Sequence, residues 1–295
     1  LGADQALVAD SGNHTVRAVA VDGSVSLLAG EAGQAGHRDG DALQARFNNP
    51  AGLAQTAADG LVYVADTGNA SLRAINSATG TVSTVAGLAG QPGSADGGAQ
   101  QSRFGKPVGL AAFAGDPHLY IADVQNHNVR WYDEASGLVN TIAGLGATAL
   151  PAAGFVDGIG DAARFNQPAG IASASPGLLY ILDAGNRAIR KLSKLPDGAW
   201  SVSTLVVGLN LTSASAIAVD ALGNIYVSDT QAVIRRFSPT GANLGVVVGT
   251  VDLRGFVPGA APGVIPNAKG IALRDGRLVF TGENGVAQLS NLTVE

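Results

Sequence analysis

The chain has 295 residues, 46% of them apolar and 14% charged, with 41 glycines, no cysteine and a formal net charge of −5 at pH 7. Without cysteine neither a disulfide framework nor a thiolate metal site can form. With four lysines in an acidic chain there is no basic surface to neutralise phosphates, which excludes nucleic acid as a partner, and no apolar run reaches the ~18 residues needed for membrane insertion.

The elements follow one another in similar groups. The first is ALVADSGNHTVRAV (6–19), two strands around a Gly-Asn turn, followed by the connection GEAGQAGHRDGDALQARFNNP (30–50). The second unit reads as four short strands, GLAQT (52–56), LVYVAD (61–66), SLRAI (71–75) and TVSTVAG (81–87), separated by the turn clusters AADG, TGNA and NSATG. After GLAGQPGSADGGAQQSRFGKP (87–107) comes LYIADVQNHNVRWY (119–132), and after GLGATALPAAGFVDGIGDAARFNQP (144–168) comes LYILDAGNRAIRKL (179–192). A short connection, VVGLNLTSASA (206–216), leads to IYVSDTQAVIRRF (225–237). The apolar, Gly/Pro-rich GTVDLRGFVPGAAPGVIPNAKG (249–270) leads to LVFTGENGVAQLS (278–290).

The Asp that closes each YVA-like run marks the period: Asp10, Asp66, Asp123, Asp183 and Asp229, with Gly282 in sixth place, at intervals of 56, 57, 60, 46 and 53. A period near 50 carrying several strands and no 3.6-residue pattern predicts a β-propeller rather than a helical solenoid. The elements P-x-G-[LI]-A, [LI]-Y-[VI]-A-D-x-x-N-H, [VI]-R and [ST]-[LVI]-A-G resemble NHL repeats, strongly in four units, partly in the fifth and weakly in the sixth. The resemblance implies an all-β, six-bladed propeller of four-stranded antiparallel blades. It implies no reaction, because such propellers include protein-binding, RNA-binding and enzymatic relatives. Leu1 aligns with Leu273, the end of a strand whose beginning is missing. Residues 1–295 are therefore expected to be one domain, monomeric by itself, from a longer bacterial protein. Its lack of Cys and Met favours an extracytoplasmic site: periplasmic, cell-surface or secreted.

In each unit an Arg follows the marker Asp by seven residues: Asp10 with Arg17, Asp66 with Arg73, Asp123 with Arg130, Asp183 with Arg190. Asp229 with Arg235 keeps the pair at six. Because both faces of a blade are covered by neighbours, such charges need partners, and their repetition predicts a structural ion pair rather than catalysis. Asn13, Asn69, Asn126 and Asn186 are expected at the turn position with φ > 0.

Second-to-third strand turns and blade connections must share one end of the molecule, which makes that long-loop end the candidate functional face. Three connections share D-G-x(5)-R-F-x-x-P, placing Asp39, Asp96 and Asp157 eleven residues before Pro50, Pro107 and Pro168. Two segments, Asp41 to Arg46 and Asp161 to Arg164, read as carboxylate-capped helical turns, with Phe47, Phe104 and Phe165 plugging the grooves between blades. Candidate binding residues on this face are His14, Arg46, Arg103, His127, Leu150, Phe155 and Arg164, Leu150 and Phe155 lying on the longest loop.

Two functions are compatible with this pattern. One is a non-enzymatic module that binds a protein or glycan on the long-loop face and needs no cofactor. The other is a lactonase- or lyase-like enzyme with calcium or zinc at the axial mouth. Calcium would require converging oxygens, for which the inner strands offer Asp220, Gln55 and Ser173. Zinc would require several His, of which only His14 and His127 occupy matching turns while His37 and His118 fall outside the series.

Overall fold

The computed structural model describes residues 5–56, 60–145, 153–211, 215–229, 232–249, 269–274, 277–281 and 286–289. Six antiparallel sheets follow in chain order and form a six-bladed propeller. The first blade contains Ala6–Asp10, Thr15–Val19 and Val25–Ala29. The second contains Pro50–Gln55, Val62–Asp66, Ser71–Asn76 and Thr81–Ala86, and the third Pro107–Ala111, His118–Asp123, Asn128–Asp133 and Leu138–Ala143. The fourth is built of Pro168–Ser175, Leu178–Asp183, Ala188–Lys194 and Trp200–Val207. The fifth comprises Ile217–Val219, Ile225–Ser228, Ile234–Phe237 and Asn243–Val248, and the sixth Gly270–Arg274, Arg277–Thr281 and Val286–Leu289.

The uniform four-stranded expectation needs correction. Blades one and six have three strands among the described residues, whereas blades two and four have five. The extra strands are Gly40–Asp41 and Gly158–Ile159 from the D-G connections, which pair antiparallel with the outer strands at Val82 and Val202. In the third blade the equivalent contact is a single bridge, Gly97 to Val139. Two residues at a sheet edge carry no hydrophobic alternation, which is why strand periodicity misses them. They cover backbone groups that an open edge would present for aggregation.

In blades two to five the strand that carries the YVA-like run is covered on both faces by neighbouring blades, so Val62–Asp66 is buried throughout and reads as a continuous apolar run. The outer strands face solvent on one side and alternate, as Thr81 and Ser83 are exposed beside buried Val82. Side chains of adjacent blades interlock in hydrophobic clusters: Val16, Phe47, Val64 and Ile75 between blades one and two, Tyr63, Leu72, Phe104 and Ile121 between two and three. Phe47, Phe104 and Phe165 are fully buried in these interfaces.

Around the axis the inner strands come so close that Gly52 and Gly109 of the P-x-G elements have no room for a side chain, while Gly170 has a tight fit at 3.0 Å. A Cβ on Gly52 would lie 2.1 Å from the Val108 carbonyl oxygen, and one on Gly109 would lie 2.1 Å from the Ala169 oxygen.

Candidate functional site

The second-to-third strand turns and the long connections meet at one end. Ser11 Oγ donates to the Pro50 carbonyl and Thr67 Oγ1 to that of Pro107, tying each turn to the first strand of the next blade. In blades one, two and four the turn is a 3₁₀ turn, such as Thr67–Asn69, and in blade three it is an ordinary turn over 124–127; each contains or is followed by one residue in the left-handed region, His14, Ala70, Arg187 and His127 respectively. The asparagines were expected at that position, and they stand one residue earlier. The reason is chemical: Asn69 Nδ2 must reach both Asp66 Oδ2 and the Gly36 carbonyl, and Asn186 does the same with Asp183 and Gly154.

The five Asp–Arg pairs are present as ion pairs, but three are parts of a larger device. Arg73 Nη1 donates to Asp66 at 2.8 Å and to the Arg46 carbonyl, while Nη2 donates to the Arg38 carbonyl and to Asp39. Asp39 in turn accepts from the Thr84 backbone N–H and hydroxyl. The guanidinium lies 5.0 Å over the Phe47 ring. Arg190 repeats this arrangement with Asp183, Asp157 and Phe165, and Arg130 with Asp96 and Phe104. The sequence spacing flagged Asp39, Asp96 and Asp157 as a series but not as the second carboxylate of each buried arginine. In blades one and five the pairs Asp10–Arg17 and Asp229–Arg235 span 2.7 Å.

Electrostatics follow burial. Desolvation pushes the Asp66 and Asp183 carboxyls up, against the pull of the N–H donors and arginines around them. At the more exposed Asp157 desolvation is outweighed by Thr204 and Arg190, and its pKa is lowered.

The structure does not gather the candidate binding residues into one site. Arg46, Arg103 and Arg164 stand in three successive connections and each turns back onto its own loop: Arg46 Nε donates to Glu31, Arg103 to the Gln100 and Ser102 carbonyls, Arg164 to those of Asp161 and Ala163. Asp41 supports a turn by accepting from the Leu43 N–H. Asp161 lies inside the turn Gly160–Ala162 and does not cap it. Phe155 packs on the Arg190 guanidinium at 4.9 Å, with 47% of its surface exposed. Leu150 and most of 249–266 lie outside the described residues.

His14 and His127 serve the backbone. Nδ1 of His14 accepts from the Asn49 N–H at 3.1 Å, and Nδ1 of His127 accepts from the Gln167 N–H at 2.9 Å. Accepting at Nδ1 requires a neutral ring with its proton on Nε2. The remaining metal candidates do not converge. Asp220 receives the N–H groups of Leu222 and Asn224 and the Tyr226 hydroxyl in a tight turn, while Gln55 and Ser173 bond to nearby carbonyls. Among the described residues no three His, Asp or Glu side chains are placed to hold a metal ion. His118, outside the turn series, lies on Asp116 and stacks on Trp131 at 3.8 Å.

The His127 arrangement predicts a pH dependence. Burial holds its imidazole below the ordinary 6.5, with Asp183 and Asp123 opposing. The unfolded chain takes up the proton as pH falls through 6.5 while the folded chain does not, so stability is full above that value and declines below it until the lower folded pKa is reached. Melting temperature should therefore drop between about pH 7 and about pH 5. His127→Asn, which keeps a residue suited to φ > 0, should lose less over the same range. Equal losses in the two proteins would show that His127 is not the responsible group.

Residues 47–75 match the NHL repeat. The chain is 22% identical over 335 aligned positions to the protein SUPPRESSOR OF QUENCHING 1, chloroplastic, of Arabidopsis thaliana, covering 90% of this chain and 31% of that protein. It is 30% identical to human NHL repeat-containing protein 2, covering 46% of this chain and 20% of that one. The chain thus spans a third or less of the length of these relatives. A gluconolactonase from Xanthomonas campestris has a similar structure, with a TM-score of 0.64 and 16% identity over 97% of this chain and 82% of that one. At that identity the likeness concerns the fold alone.

Proposed function

We propose that this six-bladed propeller with NHL repeats is a non-enzymatic binding module, which takes a protein partner on its long-loop face and needs no cofactor to do so. It would act as one domain of a longer, extracytoplasmic protein. The observation that carries the reading is a difference between otherwise equivalent loops. Gly36-His37-Arg38-Asp39-Gly40-Asp41 in the second blade matches Gly93-Ser94-Ala95-Asp96-Gly97-Gly98 in the third and Gly154-Phe155-Val156-Asp157-Gly158-Ile159 in the fourth. The glycines and the central Asp do the same structural work in all three. Only the fourth blade fills the variable positions with large apolar side chains, and Phe155, Val156 and Ile159 are 47%, 50% and 53% exposed. Apolar side chains that the fold leaves in water, on a loop held rigidly by Arg190, suit a protein contact better than a glycan, which is recognised chiefly through hydroxyl groups.

A photo-crosslinking residue at Val156 should capture the partner, and one at Leu222, equally apolar and 65% exposed in a tight turn of blade five, should not. The triple change Phe155→Ser, Val156→Ser, Ile159→Ser should weaken that partner at least about tenfold with little loss of melting temperature, and a chelator should leave binding unchanged. Unaltered affinity of the triple variant, or a footprint on the tight-turn end, would sink the proposal. Stoichiometric calcium or zinc accompanied by lactone hydrolysis would favour the enzymatic alternative.

A further inference from the structure

The third-blade device differs from the other two in its ion pair and in taking two backbone N–H groups on the carboxylate where Asp66 and Asp183 take one. Arg73 and Arg190 reach their buried Asp at 2.8 Å, whereas Arg130 Nη1 stops 3.9 Å from Asp123 and forms no hydrogen bond with it. The third blade also differs in the residue directly across the hairpin from the Asp. Asp66 faces Ser71 and Asp183 faces Ala188, but Asp123 faces Asn128. Asn128 and Arg130, two residues apart on one strand, point to the same face as Asp123. Asn128 is fully buried, and neither its Oδ1 nor its Nδ2 finds a partner in the protein. The Nε atoms of Arg73, Arg130 and Arg190 are buried without a partner in all three devices, so the unsatisfied amide is what sets the third blade apart.

A buried amide with both ends unsatisfied, beside a widened ion pair, is costly and rare in folded proteins. Asp123 already receives the Gly105 and Lys106 N–H groups and the Asn126 amide, yet a carboxylate can accept further bonds. We infer that the third blade binds one ordered water molecule between Asp123, Asn128 and Arg130, converting the direct ion pair of its neighbours into a water-mediated one. The chemistry of the surrounding groups selects water. Arg130 and Asn128 Nδ2 offer donors, Asp123 and Asn128 Oδ1 offer acceptors, and buried waters typically make about three such bonds. Chloride would be repelled by Asp123, and a metal cation by Arg130. A smaller residue at position 128 leaves space for the arginine to close on the carboxylate, as it does beside Ser71 and Ala188.

Two measurements test this. A crystal structure at a resolution that places ordered water should show a density peak within hydrogen-bond reach of the Asn128 amide and Arg130. Absence of the peak, or a direct Arg130–Asp123 hydrogen bond, would overturn the inference. Asn128→Leu, similar in volume but unable to hold the water, should lower the melting temperature by roughly 2–6 °C, and Asn128→Ser, the second-blade residue, should stay within about 2 °C of the parent. If Asn128 is instead an unsatisfied amide, removing it relieves a penalty, so an unchanged or raised melting temperature for Asn128→Leu would equally refute the bound water. Should that variant fail to fold, the density decides.

Discussion

Arg73→Ala is expected to lower stability by about 3–5 kcal/mol, the range found when one partner of a buried ion pair is removed. The substitution takes away four hydrogen bonds at once, leaving Asp66 fully buried with only Asn48 and Asn69 as donors and the carbonyls of Arg38 and Arg46 with only the backbone N–H each accepts from the other. It also removes the cation beside Asp39, so the connection 30–50 loses one of its ties to the second blade and keeps those through Thr84 and the outer-strand pairing of Gly40–Asp41. In a chain of this length such a loss lowers the melting temperature by roughly 5–8 °C. The control is Arg17→Ala, whose pair with Asp10 keeps 32% and 26% of the two side chains exposed. Pairs of that kind are worth at most about 1 kcal/mol. Urea unfolding of both variants checks the contrast. Similar small losses would mean that the buried arginines are not structural, and loss of a ligand by Arg73→Ala without loss of stability would make the repeated motif a binding site instead.

Gly109→Ala is expected to be comparably damaging for a different reason. Its φ is not in the left-handed region, so the backbone itself tolerates alanine. The new methyl, however, would stand 2.1 Å from the Ala169 carbonyl oxygen and 3.1 Å from the Ile171 backbone nitrogen. Both are backbone atoms of the next inner strand and cannot rotate away. Relief requires the third and fourth blades to separate at the axis, disturbing the cluster that holds Ile171, Ile181 and Phe165. Overpacking of a close-packed interior typically costs 1–3 kcal/mol, and a contact this short with rigid backbone belongs at about 3 or above. Gly12→Ala, with nothing within 4 Å, should change stability far less. Soluble yield and thermal melting of the two variants separate them, and equal behaviour would show that the inner strands have slack.

Much of this architecture is legible along the chain because the signals are local. The run LVYVAD followed by TGN states where a buried strand ends and a turn begins, and the observed strand Val62–Asp66 and turn Thr67–Asn69 lie within a residue of that reading. Asp66 and Arg73 stand on adjacent strands of one hairpin, so a seven-residue spacing suffices to pair them. The left-handed residue is a different case. Asparagine is the usual choice for φ > 0, and His14, Ala70, His127 and Arg187 take that conformation only because the neighbouring amide is engaged elsewhere, by Asp66 and Gly36 in the second blade.

The number of blades, the strands that carry the marker Asp and Arg residues, and the end where the long connections gather are readable along the chain, because strand patterning and turn chemistry are written within a few residues of each other. What those charges do depends on contacts made across the fold. Arg73 and Asp39 are 34 residues apart, as are Arg130 and Asp96, and their meeting depends on how a connection folds back across its own blade. The same holds for Phe155, Val156 and Ile159: nothing in an apolar triplet says whether it is covered, and it is the pairing of Gly158–Ile159 on the outer edge of the fourth blade that leaves these side chains facing water.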